Sequence, residues 1–197
     1  FFQLQDNRYR PILSLEKNKA LYLGTPGGLV AKGSTEEIVR TNGLILASTH
    51  LGDSLFVATE SGLLYRSAKS RSLKMSPVNG FVFSLVQEGA KVWAAASSGI
   101  WKLEQGTWSL EFKAEDLGFA SIFSSKHQSQ SGLWFASYTK GIWNFKDANW
   151  TNYREIAGIK LDSIGISAMQ PLPGSRLAIG TLSNGLFIFD MAPNRYD

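Results

Sequence analysis

The chain has 197 residues, of which 44% are hydrophobic and 18% are charged, so it can form one sizeable hydrophobic core. Its net charge of +4 comes from scattered basic residues, and the absence of a basic stripe argues against nucleic-acid binding. The absence of cysteine excludes disulfides, thiolate metal sites and cysteine nucleophiles, and no apolar run approaches the ~20 residues of a membrane helix.

Five repeats of one pattern organise the chain. Each repeat has an apolar run, small residues, a turn that ends in glycine and a second apolar run, which together predict a β-hairpin. The repeats are Leu21–Val30, Leu55–Leu64, Val92–Trp101, Leu133–Trp143 and Leu177–Phe187. Their turn glycines are spaced 34, 37, 42 and 44 residues apart, at Gly28, Gly62, Gly99, Gly141 and Gly185.

Further strands flank each hairpin. In chain order, the predicted first strands are Ile12–Leu15, Leu44–Ser48, Phe81–Val86, Ser121–Ser124 and Ile166–Gln170. The predicted fourth strands are Glu37–Arg40, Leu73–Met75, Trp108–Phe112 and Trp150–Tyr153. Four antiparallel strands in a period of about 40 residues are typical of a propeller blade. No helical stretch of useful length is expected, and Asp116–Phe119 and Tyr153–Ile156 have room for a single turn at most.

The sequence therefore predicts an all-β fold, a β-propeller of about five four-stranded antiparallel blades in a single domain. The blade units are residues 1–43, 44–80, 81–120, 121–165 and 166–197. The fifth unit ends where its fourth strand should follow, whereas Phe1–Leu4 is an extra strand ahead of the first unit. If Phe1–Leu4 supplies the missing strand, the ring closes and loses its exposed edges. The alternative is a slice of a longer ring, and because the chain opens without methionine we expect a processed protein or an excised piece.

Small residues recur in the first strand of each hairpin. They are Gly24, Ala58, Ala95, Ala136 and Gly180. Two explanations are open, a crowded layer near the propeller axis and close packing of one sheet on the next. Aromatic residues also recur at equivalent positions, and tryptophans such as Trp93 and Trp134 are therefore interpreted as packing between blades and not as a surface for sugars.

The hairpins resemble the two-component regulator propeller repeat, in which an apolar run ends in Gly-Thr and the turn is followed by Gly-Leu and an aromatic residue. The matching stretches are Leu21–Thr25 with Gly28-Leu29, Val57–Thr59 with Gly62-Leu63, and Leu177–Thr181 with Gly185–Phe187. The resemblance implies an extracytoplasmic sensor region of a bacterial hybrid histidine kinase or a related membrane protein. In the best-understood branch of that family the ligands are oligosaccharides. The family's propellers usually have seven blades, followed by a sandwich domain and a membrane helix.

The resemblance and the lack of catalytic motifs together favour a non-catalytic, periplasmic or extracellular module without cofactor or metal. Its partner is expected to be a small polar ligand such as a saccharide, or alternatively a protein, and a homodimer is an open possibility. Contact with a membrane is expected only through domains that lie outside this chain. His50 and His127 are expected in separate loops, and the acidic pairs Glu36-Glu37 and Glu115-Asp116 on the surface. An enzyme such as a lyase or glycosidase is the remaining alternative.

The candidate ligand-binding residues lie in loops that depart from the repeat. In a propeller the turns between second and third strands and the connections between blades share one face. The sequence places six polar or aromatic candidates on that face, Glu60, Asp116, Tyr138, Lys140, Asp162 and Asn184. A rigid scaffold with variable loops is the usual location of binding residues.

The repeat predicts a circular dichroism spectrum with almost no helical contribution, because propeller blades leave little chain for helices. A measured helix content above about one quarter would contradict the interpretation of the repeats as blades.

Overall fold

The computed structural model describes residues 13–17, 20–25, 28–31, 37–41, 44–67, 70, 72–117, 120–123, 133–137, 140–146, 149–174 and 176–191. This part of the chain is nearly all β, as the sequence predicts. Its only helix is α1 (Ala114–Leu117), a single turn that begins two residues before the turn that the sequence allows at Asp116–Phe119. Every sheet is antiparallel, and consecutive strands in the chain are neighbours in the sheet.

The described strands form four four-stranded sheets, followed by a two-stranded hairpin and a three-stranded sheet. The first sheet contains β1 (Leu13–Lys17), β2 (Ala20–Thr25), β3 (Gly28–Ala31) and β4 (Glu37–Arg40). The second contains β5 (Ile45–Leu51), β6 (Ser54–Thr59), β7 (Gly62–Arg66) and β8 (Lys74–Asn79). The third contains β9 (Val82–Glu88), β10 (Lys91–Ala96), β11 (Gly99–Glu104) and β12 (Thr107–Lys113).

The fourth sheet contains β13 (Ala120–Phe123), β14 (Leu133–Ser137), β15 (Gly141–Lys146) and β16 (Asn149–Tyr153). A two-stranded hairpin follows, β17 (Glu155–Ile156) and β18 (Ile159–Lys160). The fifth sheet has three strands in the described residues, β19 (Ile166–Leu172), β20 (Arg176–Thr181) and β21 (Leu186–Asp190). The first strands of successive sheets are neighbours in space, from β1 through β5, β9 and β13 to β19.

The second strand of an inner sheet is buried on both of its faces. In β10, Val92 and Ala94 pack in the cluster shared with the second sheet, whereas Trp93 and Ala95 pack in the cluster shared with the fourth. All four side chains are fully buried. Successive side chains of a strand point to opposite faces, so a strand covered on both sides must be apolar throughout. This is why the repeats appear in the sequence as unbroken apolar runs.

The recurring small residues face the following sheet. Ala58 packs between the second and third sheets, Ala95 between the third and fourth, and Ala136 between the fourth and fifth. Of the two explanations that the sequence left open, close packing of one sheet on the next is therefore supported. Trp93 fills the space beside Ala95, and its ring centroid lies 6.0 Å from that of Phe135 in the fourth sheet. The interpretation of this tryptophan as packing between sheets is confirmed.

The repeat glycine allows the third strand to begin directly against the fourth. Gly99 has a φ of +133°, and a Cβ at this position would overlap the carbonyl oxygen of Phe112 on β12. Gly141 meets the carbonyl oxygen of Tyr153 on β16 in the same way. Gly185 has a positive φ of +81° but open space around its Cβ position, in keeping with a fifth sheet whose described part ends at its third strand.

The predicted closure of the ring is not confirmed. Phe1–Leu4, the segment expected to complete the fifth sheet, lies outside the described residues. Among the described strands, no contact comparable to those between successive first strands joins β19 to β1. On the outward face of the fifth sheet Leu186 and Ile188 are exposed. The number of blades and the closure remain predictions.

Replacing Gly99 by alanine should destabilise the protein by at least about 3 kcal/mol, because the methyl group displaces β12 in addition to straining the backbone. Gly106 is the matched control, since it also has a positive φ, of +80°, but has no atom within 4 Å of its Cβ position. Gly106→Ala should cost only about 1 kcal/mol of backbone strain. Urea unfolding of both variants measures the difference, and equal losses would contradict the close approach of β11 and β12.

Candidate functional site

Turns within sheets and connections between sheets meet at one end of the structure. The backbone N–H of Ser97, in the turn of the third sheet, donates to the carbonyl oxygen of Phe81 at 2.7 Å, and the Phe81 N–H donates to Ser97 Oγ at 3.1 Å. Ser98 Oγ donates to the Asn79 carbonyl oxygen at 3.2 Å. Phe81 lies in the connection from β8 to β9, and Asn79 is the last residue of β8. The two kinds of loop thus share one face, as the sequence predicts, and we call it the loop face.

A hydroxyl residue at the end of the second strand shapes the turn in three of the sheets. Thr59 Oγ1 donates to a turn carbonyl at 2.8 Å in the second sheet. In the fifth sheet Thr181 Oγ1 accepts the N–H of Asn184 at 2.9 Å, and in the fourth Ser137 Oγ accepts the N–H of Lys140 at 3.1 Å. Hydroxyl side chains that bond nearby backbone groups are typical turn formers. They fix the backbone of Lys140 and Asn184, and Asn184 Oδ1 in addition accepts a hydrogen bond from Ser183 Oγ at 3.2 Å.

The structure describes the side chains of four of the six predicted site residues. Glu60 and Asn184 are exposed in the turns of the second and fifth sheets. Lys140 and Asp162 are half-buried, in the turn of the fourth sheet and in the connection from the fourth to the fifth. Asp116 lies on the backbone of α1, in the connection from β12 to β13, and Tyr138 lies outside the described residues.

Asn152 joins the turn of Lys140 to the connection that holds Asp162. The Asn152 Nδ2 donates to the carbonyl oxygens of Lys140 and Ile142, both at 3.1 Å. Its Oδ1 accepts from Arg154 Nε at 3.2 Å. The carbonyl oxygen of Arg154 in turn accepts the N–H of Leu161, the residue before Asp162, at 2.7 Å. One amide side chain therefore positions segments from two loops.

The connection also reaches the turn of the fifth sheet. The N–H of Leu182 donates to the carbonyl oxygen of Gly165 at 2.9 Å, and Asn184 lies two residues after Leu182. Hydrogen bonds and the short stretches of chain between them thus connect the segments that hold Lys140, Asp162 and Asn184, and we call this set of residues the loop-face network. It comprises Lys140, Asn152, Arg154, residues 161–165 and residues 182–184. No described hydrogen bond connects Glu60 to this network.

The hairpin of β17 and β18 is an insertion beside the network. The connection from β8 to β9 consists of residues 80 and 81 only, whereas the one from β16 to β19 contains the whole hairpin. Its turn residues Ala157 and Gly158 have φ values of +49° and +80°, as a two-residue hairpin turn requires. Ile156 and Ile159 pack against the core between the fourth and fifth sheets. The single helical turn that the sequence allows at Tyr153–Ile156 is not formed, because the chain is extended there.

Sequence analysis missed Asn152 and Arg154. Asn152 lies opposite Trp143 in the pairing of β15 and β16. The equivalent residue is Leu110, opposite Trp101, in the third sheet and Met75, opposite Leu64, in the second. The first sheet also has a polar residue at this position, Glu37 opposite Val30, so polarity there does not by itself identify Asn152. Arg154 lies two residues after Asn152 and is exposed.

Aromatic surface also lies on the loop face. Phe81 and Phe83, at the start of the third sheet, are both half-buried, and their ring centroids are 4.8 Å apart. The sequence analysis assigned these residues only to a strand. Their partly exposed rings add an apolar element to a face whose turns are otherwise polar.

A cluster of charges at the opposite end of the third sheet is a surface ion-pair network. Lys102 Nζ lies 3.0 Å from Glu111 Oε1 and 3.2 Å from Glu104 Oε2, and Lys91 Nζ lies 3.1 Å from Glu104 Oε1. The hydrogen bond to Glu111 raises the pKa of Lys102, and the hydrogen bond from Lys91 lowers the pKa of Glu104. Each charge has an opposite partner at the surface, an arrangement of small energetic value.

His50 does not lie in a loop, contrary to expectation. It is in β5, opposite Leu55 of β6, because this strand extends beyond the predicted Leu44–Ser48. His127 lies outside the described residues. Within the described part of the chain, no three His, Cys, Asp or Glu residues are grouped so that they could hold a metal ion. The one helix found there is too short to span a membrane.

No protein-family model matches the chain, and no curated protein matches it in sequence. It is similar in structure to the extracellular domain of the putative hybrid two component system BT4673 of B. thetaiotaomicron, with a TM-score of 0.72 and 14% identity. A second structure of that domain, described as part of a putative one component system, gives 0.74 and 15%. Both comparisons cover 95% of this chain and 27% of the BT4673 domain.

A third similar structure is PorZ, a bacterial surface component of the type-IX secretion system of Porphyromonas gingivalis. Its TM-score is 0.60 at 15% identity, over 98% of this chain and 34% of PorZ. The chain thus spans about a third or less of the length of these proteins. At such identities the similarity establishes a shared, propeller-like fold.

Replacing Asn152 by aspartate should lower the free energy of unfolding by about 1–3 kcal/mol, because it removes a part-buried donor from two carbonyl oxygens. The substitution keeps the side-chain size and the acceptor for Arg154. Asn149→Asp, on an exposed residue of the same strand, is the control for added negative charge. Thermal unfolding and amide exchange at Gly141 measure the effect, and equal behaviour of the two variants would show that Asn152 does not hold the turn.

Proposed function

We propose that the chain is a non-catalytic ligand-sensing module of a bacterial membrane signalling protein, located in the periplasm or outside the cell. Its ligand is a small polar molecule such as a saccharide, bound at the loop-face network without a cofactor. The observation that carries the proposal is the connection of the three loop segments that hold Lys140, Asp162 and Asn184, through hydrogen bonds of Asn152, Arg154 and the backbone. The extracellular sensor-type domains among the similar structures support the location.

The chemistry of the network suits a neutral polar ligand. An ammonium group, a carboxylate and an amide side chain offer both donors and acceptors to hydroxyl groups, and the exposed Arg154 adds further donors. The backbones of the two turns are fixed by Ser137 and Thr181, so the site is largely preformed. A preformed site reduces the entropy that binding must overcome. Tyr138, Glu60 and Asp116 stay predicted members of the same face.

The alternative function is a scaffold for a protein partner. The exposed side chain of Leu182, 64% accessible beside the loop-face network, favours it, because exposed apolar residues are typical of protein contacts. The two proposed functions use the same loop face but differ in the partner that binds there. A screen with soluble oligosaccharides and with other regions of the signalling system distinguishes them.

Isothermal titration with an oligosaccharide panel tests the proposal. A saccharide that binds should bind at least about 10-fold more weakly to Lys140→Ala and to Asp162→Asn, a loss equal to one or two hydrogen bonds to charged groups. The melting temperature should change by no more than a few degrees, because loop residues contribute little to stability. The ligand should be recovered unchanged after incubation.

Lys146→Ala is the matched control. Lys146 is exposed at the other end of β15, so the variant loses the same charge from the same strand but from the opposite face. Its affinity should equal that of the unmodified chain. Equal weakening by Lys140→Ala and Lys146→Ala would place the ligand elsewhere, and cleavage of the saccharide would exclude a purely sensing role.

A further inference from the structure

Two asparagine–glycine pairs lie on the loop face, and the surrounding structure holds them differently. Asn79-Gly80 leads from β8 towards β9, and Asn184-Gly185 ends the turn between β20 and β21. A third pair, Asn42-Gly43, lies outside the described residues. In such a pair the backbone nitrogen of the glycine can attack the side-chain amide of the asparagine, because glycine has no Cβ to hinder the approach.

The glycine of the second pair is open to solvent. Asn184 and Gly185 are both exposed, and no atom lies within 4 Å of the position that a Cβ on Gly185 would take. Asn79 is exposed as well, but Gly80 is half-buried, and a Cβ there would overlap Ser97 Oγ. The backbone around the attacking nitrogen therefore has more space at Gly185 than at Gly80.

The peptide group that has to rotate is held at one pair only. Closure of a succinimide ring turns the asparagine carbonyl about the Cα–C bond. The Asn79 carbonyl oxygen accepts from Ser98 Oγ at 3.2 Å, and Asn79 is paired with Gly62 in the sheet. Among the described residues, no hydrogen bond involves the carbonyl oxygen of Asn184 or the N–H of Gly185. The Asn184–Gly185 peptide group is thus the freer of the two.

Ser183 places a donor on the amide that would react. Its Oγ donates to Asn184 Oδ1 at 3.2 Å. Attack of the Gly185 nitrogen on Cγ places negative charge on this oxygen, and a donor aimed at a developing oxyanion lowers the barrier. The N–H of Asn184 donates to Thr181 Oγ1 at 2.9 Å, which fixes the residue on the side that does not need to rotate.

We propose that Asn184 is a site of spontaneous covalent modification, at which its amide is converted into a carboxylate. The Gly185 nitrogen gives up its proton to hydroxide and attacks Cγ of Asn184. A bond forms between that nitrogen and Cγ, the bond from Cγ to Nδ2 breaks, and Nδ2 leaves as ammonia. Water then opens the succinimide ring at either carbonyl carbon, which yields aspartate or isoaspartate. Water is the only co-reactant consumed, and no oxidant or reductant takes part.

The product changes the charge of the loop face. The backbone bond from Leu182 to Gly165 connects the turn of Asn184 to the connection that holds Asp162, so the loop-face network gains a second carboxylate. Because the turn is exposed, the fold should persist. The modification alters a residue proposed to bind ligand, but its occurrence does not depend on that ligand.

Peptide mass mapping of the full chain tests the proposal, after incubation at mildly alkaline pH in buffer and in concentrated urea. Asn79 is the internal control in each sample. In the folded chain Asn184 should be converted at least about 5-fold faster than Asn79, the factor that one hydrogen bond on the Asn79 peptide group provides. In urea the two rates should become similar. Similar rates in the folded chain, or faster conversion of Asn79, would overturn the proposal.

Two serine variants separate the contributions. Ser183→Ala should slow the conversion of Asn184 about 3- to 10-fold and leave Asn79 unchanged, because it removes the donor to the oxyanion. Ser98→Ala is the reciprocal variant and should accelerate only Asn79, because it releases the carbonyl oxygen of that residue. Circular dichroism checks that both variants fold. An unchanged rate at Asn184 in Ser183→Ala would overturn the role of its hydroxyl, and an unaccelerated Asn79 in Ser98→Ala would overturn the explanation of the difference between the pairs.

Discussion

Packing of one sheet on the next is the interaction on which the rest of this structure depends. Each inner sheet presents apolar side chains to both neighbours, and its second strand is covered on both faces. Full burial of a large apolar side chain contributes about 1.5–3 kcal/mol, whereas an exposed ion pair such as that of Lys102 and Glu111 contributes less than about 1 kcal/mol. The stability of the chain therefore comes from the contacts between sheets, and the loops are free to vary.

Because the contacts between sheets provide the stability, the chain departs from its repeat in the loops. The β17–β18 hairpin is inserted at the loop face without disturbing any ladder, because it joins two sheets and belongs to neither. Its isoleucines return to the core, which anchors the insertion. Asn152 lies three residues before the hairpin, and its amide donates to carbonyl oxygens of Lys140 and Ile142. Asn152 and Arg154 thus connect the turn of the fourth sheet to the connection that contains the hairpin.

The same packing of one sheet on the next accounts for the apolar composition of the outward face of the fifth sheet. A sheet of this repeat has one side for its predecessor and one for its successor, and the positions assigned to each side are constant along the chain. Leu186 keeps the residue type of the buried positions although it is exposed. That side therefore differs in composition from the polar loop face, where a ligand is proposed to bind.

The sequence by itself determined the repeat and the strands. Strands are local, and the combination of apolar runs, small residues and a turn glycine is sufficient to identify each hairpin, so the predicted strands agree with the observed ones within a few residues. The sequence also assigned Lys140, Asp162 and Asn184 to one face, because alternating turns of a blade point to alternate ends. Only the tertiary structure decided that these three residues lie on one hydrogen-bonded network through Asn152 and Arg154. Only the tertiary structure, again, showed that Leu186 is exposed while its counterparts are buried. Side chains far apart in sequence come into contact through packing, and the local sequence pattern does not specify which neighbour a side chain contacts.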